Sequence, residues 1–283
     1  MEHKLSTIPA SGSADWERPA TPATRLVARD PLGPFPLLPG QRVTVAVFGA
    51  VAVLVSVVIL AGVPDDVTRW LKTPPIVALF VVALAARPRT PTQVLVTVGI
   101  ALSAVGDAFL VGFVTLPGGF GRLAGIGTFA LAYLVLVATF WRGRPKSAEA
   151  APALVFAAVA VVMCVVIWPF LPAAMVAPVV VFAGVIVVLG WTTAATVFRG
   201  AFPARVAVWV ATGGALIFAN DAMVALHMFH PAFSPPPTLT EAFIRSTYLA
   251  GWTLMLLVVQ QRPPVRPVGA RRDAARANLR PLV

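Results

Sequence analysis

The sequence predicts an all-α fold, a polytopic membrane helical bundle with about eight transmembrane helices. Hydrophobic residues make up 58% of the 283 residues and charged residues only 12%, whereas soluble domains are about 45 to 50% apolar and about 25% charged. The mean hydropathy is +0.86. Apolar runs long enough to cross a hydrocarbon core recur along the chain, and short segments with Pro, Gly, Arg or Lys separate them. These observations indicate an integral membrane protein.

Eight apolar runs give the predicted spans. Each has to be helical, because backbone N–H and C=O groups in lipid must find hydrogen-bond partners within the segment. The second and fifth runs are short and bounded by prolines. The predicted spans are 42–62, 73–87, 91–112, 121–141, 152–170, 175–198, 203–228 and 240–261.

The net charge of +11 is unevenly distributed over the predicted connections. Every second connection and the C-terminal tail are rich in arginine, whereas the other connections carry only Arg69, Lys72, Arg122 and Arg245. Lys and Arg concentrate on the cytoplasmic side of membrane proteins. The pattern predicts a multi-pass protein of the cell membrane with both termini in the cytoplasm, in agreement with an even number of spans. Because the positive charge follows the loops, we expect no nucleic-acid partner.

The charge and polarity patterns divide the chain into three parts. Residues 1–41 are polar and contain scattered Pro and Ser, which predicts a disordered cytoplasmic segment. Residues 42–261 form the predicted transmembrane domain. Residues 262–283 are rich in Pro and Arg and predict a basic, disordered cytoplasmic tail.

Two acidic residues lie inside predicted spans, Asp107 in "LSAVGDAFLVG" and Asp221 in "ALIFANDAMVAL". The other acids among the eleven Asp and Glu residues fall in termini, loops or helix ends. An Asp at the centre of a membrane helix costs about 2.5 to 3.5 kcal/mol on insertion scales, and such residues usually face the bundle interior and mark a site or pathway. The alternative is that each acid is neutral and hydrogen-bonded in helix packing.

The two acids are predicted to form one site because their positions match. Both spans run outward if the N-terminus is inside, and each acid precedes the outer end of its span by about five to seven residues, so the carboxyl groups lie at similar depth. A shift of 221 − 107 = 114 residues also aligns Gly99 with Gly213, and nearly the same shift takes Tyr133 to Tyr248. This repetition suggests two parallel four-helix repeats with a site at their interface.

Other polar residues are predicted near the acids. Lys72 and Arg245 could compensate a buried carboxylate, or their side chains could simply extend to the membrane surface; the sequence leaves both interpretations open. His227 and His230 are interpreted as interfacial histidines, and no metal site is predicted. Four tryptophans near span ends are interpreted as membrane-interface anchors: Trp70, Trp141, Trp168 and Trp252.

Five short motifs in order along residues 42–261 resemble the YhhN-like lysoplasmalogenase family of eight-span membrane proteins. They are "LKTPP", "LSAVGDAFL", "GIGTFALAY", "GALIFANDAMVAL" and "STYLAG". The sequence departs from the family pattern at four places. Tyr133 stands where the family has a histidine, Asn220 where it has Ser, and Gly251 where it has Gln, while Thr73 separates Lys72 from the following proline.

The resemblance implies a membrane hydrolase that cleaves the vinyl ether bond of a lysoplasmalogen, a membrane lysolipid, without a cofactor. Asp107 and Asp221 would be the acid and base of this reaction, with their individual roles left open. The residues expected to bind or position the substrate are Lys72, Tyr133, Asn220, Arg245 and Tyr248. Two other functions use the same residues: a transporter that exchanges protons or cations through the Asp pair, and a non-catalytic lipid-binding relative.

Overall fold

The computed structural model describes residues 38–64, 70–71, 73–87, 90–117, 120–143, 145–233 and 238–261. Most of the predicted N-terminal segment, the whole C-terminal tail and Lys72 lie outside these ranges. Within them all regular structure is helical, which confirms the all-α membrane bundle. The described residues include eight α-helices of at least 12 residues: α1 (Pro39–Leu60), α2 (Pro74–Ala85), α3 (Pro91–Leu110), α4 (Phe120–Phe140), α5 (Ala150–Ile167), α6 (Ala173–Arg199), α7 (Ala204–Phe229) and α8 (Thr238–Val259).

Proline sets the start of the first three helices. Pro39, Pro74 and Pro91 occupy the first helical position, where the missing N–H has no partner to lose and the fixed φ suits a helix. Thr90 additionally caps α3, because its hydroxyl accepts a hydrogen bond of 3.2 Å from the Gln93 backbone N–H. α1 therefore begins at Pro39 rather than at the predicted residue 42.

The helices alternate in direction along the chain. A Cβ at Gly99 would contact Leu136, and one at Gly125 would contact Leu110, so α3 and α4 are antiparallel neighbours. The same relation joins α7 and α8, which approach at Gly213. Small residues allow helix backbones to come this close. These antiparallel pairs are the central packing units of the bundle.

α2 is shorter than predicted, with 12 residues and a length of about 18 Å. In the described ranges, the seven other helices are long and apolar enough to span a membrane. The chain nevertheless returns across the bundle at α2. Gln41 at the start of α1 and Gln93 at the start of α3 both donate to carbonyls at the end of α8, namely those of Leu257 and Val259. Because α1 and α3 start at the same end, the intervening chain has to cross back.

α8 occupies the centre of the bundle and packs against α1, α2, α3 and α7. Trp252 in this helix has no exposed surface, so its interpretation as a membrane-interface anchor is wrong. Its ring stacks with Tyr133 at a centroid distance of 6.4 Å. The other three tryptophans of that prediction are exposed on the bundle surface: Trp70, Trp141 and Trp168.

The packing repeats only in part between the two halves. The pair α3 and α4 corresponds to the pair α7 and α8, and contacts of α2 with α3 correspond to those of α6 with α7. However, α1 packs on α8, whereas α5 packs on α6 and α7 and leaves most of its valines exposed. The two halves are therefore related in their central helices and differ in their first ones.

A buried ion pair fastens the end of the bundle where α6 ends and α5 begins. Arg199 donates to Glu149 through Nη2 at 2.6 Å and through Nε at 2.9 Å, and both side chains are almost fully buried. The guanidinium also lies 5.2 Å from the centre of the Trp141 ring. Lys146 donates a 2.5 Å hydrogen bond to the carbonyl of Phe198, at the end of α6. These contacts connect the segment after α4 to the end of α6.

Candidate active site

A cavity of about 530 Å³ lies between α3, α4, α6, α7 and α8. It is at the end of the bundle where α3 and α7 end and α4 and α8 begin, the end that the charge pattern predicts to face outward. Its volume falls in the range of about 300 to 1,000 Å³ that is typical of ligand sites. Asp107 and Asp221 both line it. The structure thus brings the two intramembrane acids to one cavity.

Asp107 contacts one residue just before α2 and one residue in α8. One carboxylate oxygen accepts a hydrogen bond of 2.9 Å from the Thr73 hydroxyl, and the other lies 3.2 Å from Nη1 of Arg245. The neighbouring Gly106 lets α4 approach, because a Cβ there would come within 2.8 Å of the Phe129 ring. Only 4% of the Asp107 surface is exposed. The carboxylate is buried, paired with a cation and hydrogen-bonded.

Arg245 connects Asp107 to a second acid. Its guanidinium Nε lies 4.0 Å from the carboxylate of Glu241, one turn earlier in α8. The side chain is about 15% exposed. Of the two interpretations of Arg245 left open by the sequence, the structure places the guanidinium on Asp107. Lys72, the other cation considered there, lies outside the described residues.

Asp221 has a different environment from Asp107. It is 9% exposed, and one carboxylate oxygen accepts a long hydrogen bond of 3.3 Å from the Asn220 side chain. Among the described residues, the other oxygen has no hydrogen-bond partner. The Tyr133 hydroxyl lies beside this carboxyl group but outside hydrogen-bonding geometry. No described Lys or Arg forms an ion pair with Asp221.

Aromatic residues join the two carboxyl environments. Tyr248 of α8 lines the cavity together with both acids, and its hydroxyl donates to the Ser103 carbonyl at 3.4 Å. Phe129 packs against Tyr248 and Tyr133 with centroid distances of 6.1 and 5.9 Å. The cluster fixes the positions of α3, α4 and α8 relative to one another.

Several residues that contact the acids or line the cavity were not assigned to the site from the sequence. Thr73 was noted only as an interruption of a motif, although its hydroxyl binds Asp107. Arg122, Glu241 and His227 also line the cavity. The Nδ1 atom of His227 lies 2.9 Å from the Phe233 carbonyl. Within the described ranges, no three His, Cys, Asp or Glu side chains are grouped closely enough to hold a metal ion.

Residues 67–259 match the sequence model of the YhhN family. The chain belongs to the YhhN family. The YhhN match includes both acids and all the described residues that line the cavity, while α1 precedes it. No solved structure matches the chain.

Two of the departures from the YhhN pattern have a clear structural setting. A Cβ at Gly251 would lie 2.9 Å from Cγ1 of Ile217 and 3.1 Å from the carbonyl oxygen of Gly213. A glutamine at this position would therefore push α7 and α8 apart. Tyr133 is fully buried between Phe129, Phe182 and Trp252, so the ring fills a packed position beside Asp221.

Proposed function

We propose that this protein is a membrane hydrolase that cleaves the vinyl ether bond of a lysoplasmalogen-type lysolipid. The observation that carries the proposal is one cavity lined by two buried carboxyl groups in unequal environments. Asp107 has a guanidinium and a hydroxyl as partners, whereas Asp221 has a weak amide contact and one oxygen without a partner among the described residues. Membership of the YhhN family supports the same reaction class.

The unequal environments support different roles for the two acids. Identical side chains become an acid and a base when their surroundings favour different protonation states. An ion pair and a donated hydrogen bond favour an ionised carboxylate, and burial without a cation favours a neutral one. We therefore assign the base to Asp107 and the general acid to Asp221.

Hydrolysis then proceeds through proton transfers that restore both acids. Asp221 donates its proton to the vinyl carbon that is not bonded to oxygen, and the other vinyl carbon becomes an oxocarbenium ion. The Asp221 carboxylate stabilises this cation. A water molecule attacks the cation while Asp107 accepts a proton from it, giving a hemiacetal.

Collapse of the hemiacetal releases the products. The carbon–oxygen bond to glycerol breaks, the departing oxygen takes the proton from Asp107, and the hemiacetal hydroxyl returns a proton to Asp221. The products are a fatty aldehyde and a glycerophospho-alcohol. One water molecule is consumed, and both acids regain their starting states.

The remaining cavity residues suit a lipid substrate. Apolar side chains from four helices provide a surface for a hydrocarbon chain: Leu110, Ile126, Val179, Phe182 and Val224. Tyr248 and Asn220 lie next to the carboxyl groups and are assigned to substrate positioning. Tyr133 is assigned to packing and orientation of Asp221.

The test is turnover by the purified full-length protein in detergent, with released aldehyde measured by mass spectrometry. A vinyl ether lysolipid is compared with matched 1-acyl and saturated 1-alkyl lysolipids. We expect aldehyde from the vinyl ether only, and at least about a hundredfold loss of turnover in Asp107→Asn and Asp221→Asn. Size-exclusion profiles identify any variant that fails to fold. Full turnover by folded Asp221→Asn would refute the assigned mechanism.

A transporter built on the same acids gives a different result. In sealed proteoliposomes it would move protons when substrate is added, without forming aldehyde. Substrate-dependent proton flux in the absence of aldehyde would replace the hydrolase with this alternative.

A further inference from the structure

Arg122 is a cation of the cavity that the acid pair does not engage. Arg245 is held between Asp107 and Glu241. Arg122 lines the same cavity, and in the described part of the chain it has no carboxylate or hydrogen-bond partner. Arg122 is exposed, whereas Asp107 and Asp221 are buried. An arginine in this position is available for an anion that enters with a ligand.

The helix α4 gives the position of Arg122 relative to the acids. Arg122, Ile126 and Phe129 share one face of α4 and all line the cavity. Phe129 packs on Gly106, next to Asp107, and therefore marks the level of the acids. Arg122 precedes Phe129 by seven residues, which places its Cα about 10 Å nearer the start of α4.

This arrangement places the carboxyl groups and apolar side chains in the interior of the cavity and a guanidinium nearer its exposed end. A single-chain phospholipid carries its phosphate beyond the glycerol, at a distance from the ether bond, so a bond held at the acids leaves the phosphate on the side of Arg122. Guanidinium groups bind phosphate through paired, charge-assisted hydrogen bonds. The first turn of α4, which carries Arg122, adds the positive end of the helix dipole.

We propose that Arg122 binds the phosphate of the lipid substrate and thereby selects a single-chain phospholipid over a neutral ether lipid. The assignment of the ligand as a substrate rests on the proposed hydrolase function. Binding of the phosphate by Arg122 does not require turnover, so the two proposals are tested separately.

Binding is measured with a lipid that cannot be cleaved. The full-length protein is titrated with a saturated 1-alkyl lysophosphatidylethanolamine and with the matching 1-alkylglycerol, and affinity is followed by native mass spectrometry. The variants are Arg122→Gln, the conservative Arg122→Lys, and Arg142→Gln as a control beyond the opposite end of α4, where the guanidinium lies over Phe202. Inorganic phosphate alone is titrated in a parallel series.

We expect Arg122→Gln to weaken binding of the phospholipid about tenfold, as for loss of a charge-assisted contact at an exposed position, and to leave the alkylglycerol unchanged. Arg122→Lys keeps part of the affinity, and Arg142→Gln behaves like the wild type. The proposal is overturned if Arg122→Gln binds the phospholipid as tightly as the wild type, or weakens both lipids equally. It is also overturned if inorganic phosphate displaces the phospholipid at equal concentration, because the site would then bind free phosphate rather than a lipid headgroup.

Turnover gives a second, independent result. With a vinyl ether lysophospholipid we expect Arg122→Gln to raise KM about tenfold at nearly unchanged kcat, because the contact is made equally in the ground and transition states. A fall in kcat at constant KM would overturn a binding role. A wild type that binds the phospholipid through Arg122 but releases no aldehyde would refute the hydrolase and leave the phosphate site in place.

Discussion

Substitution of Thr73 by valine tests whether Asp107 depends on its neighbours. The change keeps the shape of the side chain and removes the hydroxyl that donates to Asp107 at 2.9 Å. Hydrogen bonds to charged groups contribute about 1.5 to 3 kcal/mol. If that contact orients Asp107 to accept a proton from the attacking water, its loss lowers kcat/KM for the vinyl ether lipid by about tenfold to a hundredfold. The loss appears in kcat, with KM little changed.

Thr97→Val is the matched control. Thr97 is buried in the same helix as Asp107, but its hydroxyl donates to the Gln93 carbonyl of its own helix at 2.9 Å. Aldehyde release and thermal unfolding are measured for both variants. If Thr73→Val keeps the wild-type kcat/KM while remaining folded, the hydrogen bond has no catalytic role and the assignment of Asp107 as the base loses one of its two supports, leaving the ion pair with Arg245. Equal losses in both variants would show a general packing effect.

The remaining predictions concern the ion pair and the helix contact. Arg245→Gln leaves the buried Asp107 carboxylate without its cation, and breaking a buried ion pair lowers folding stability by about 3 to 5 kcal/mol. In the protein that remains folded, we expect at least about a hundredfold loss of kcat/KM. Glu241→Gln should have a much smaller effect on kcat/KM. Comparable losses in the two variants would contradict this pairing. Gly251→Ala places a methyl group 2.9 Å from Ile217, and overpacking of this kind costs about 1 to 3 kcal/mol. Its midpoint of thermal unfolding should fall below that of Gly127→Ala, whose added methyl group meets no atom within 4 Å; an unchanged midpoint would show that α7 and α8 separate without strain.

The sequence predicted the helices well because the membrane requires long apolar runs. Seven predicted spans correspond to long helices, and α2 differs mainly at its C-terminal end, where it stops at Ala85 and Arg87 adopts a positive φ. The two acids could be found because a carboxyl group in an apolar span is costly and rare. Trp252 was misinterpreted because nearness to a span end does not reveal that α8 lies at the centre of the bundle.

The residues around the acids were harder to predict. A threonine before a helix is common, and only the packing of α2 against α3 brings Thr73 to Asp107. Arg122 belongs to a connection with few charges, where a basic side chain at the membrane surface is the ordinary expectation. Such residues acquire a specific role only through the three-dimensional arrangement of distant helices.

The ion pair between Arg199 and Glu149 lies at the end of the bundle opposite the cavity. It connects the start of α5 to the end of α6, and the Arg199 guanidinium also packs on the Trp141 ring. At the same end of the bundle, the side-chain amides of Gln41 and Gln93 connect α1 and α3 to the terminal carbonyls of α8. These contacts cross-link five helices at that end of the bundle. The cavity with the two carboxyl groups lies at the opposite end of the bundle, so we expect a ligand to enter from that end.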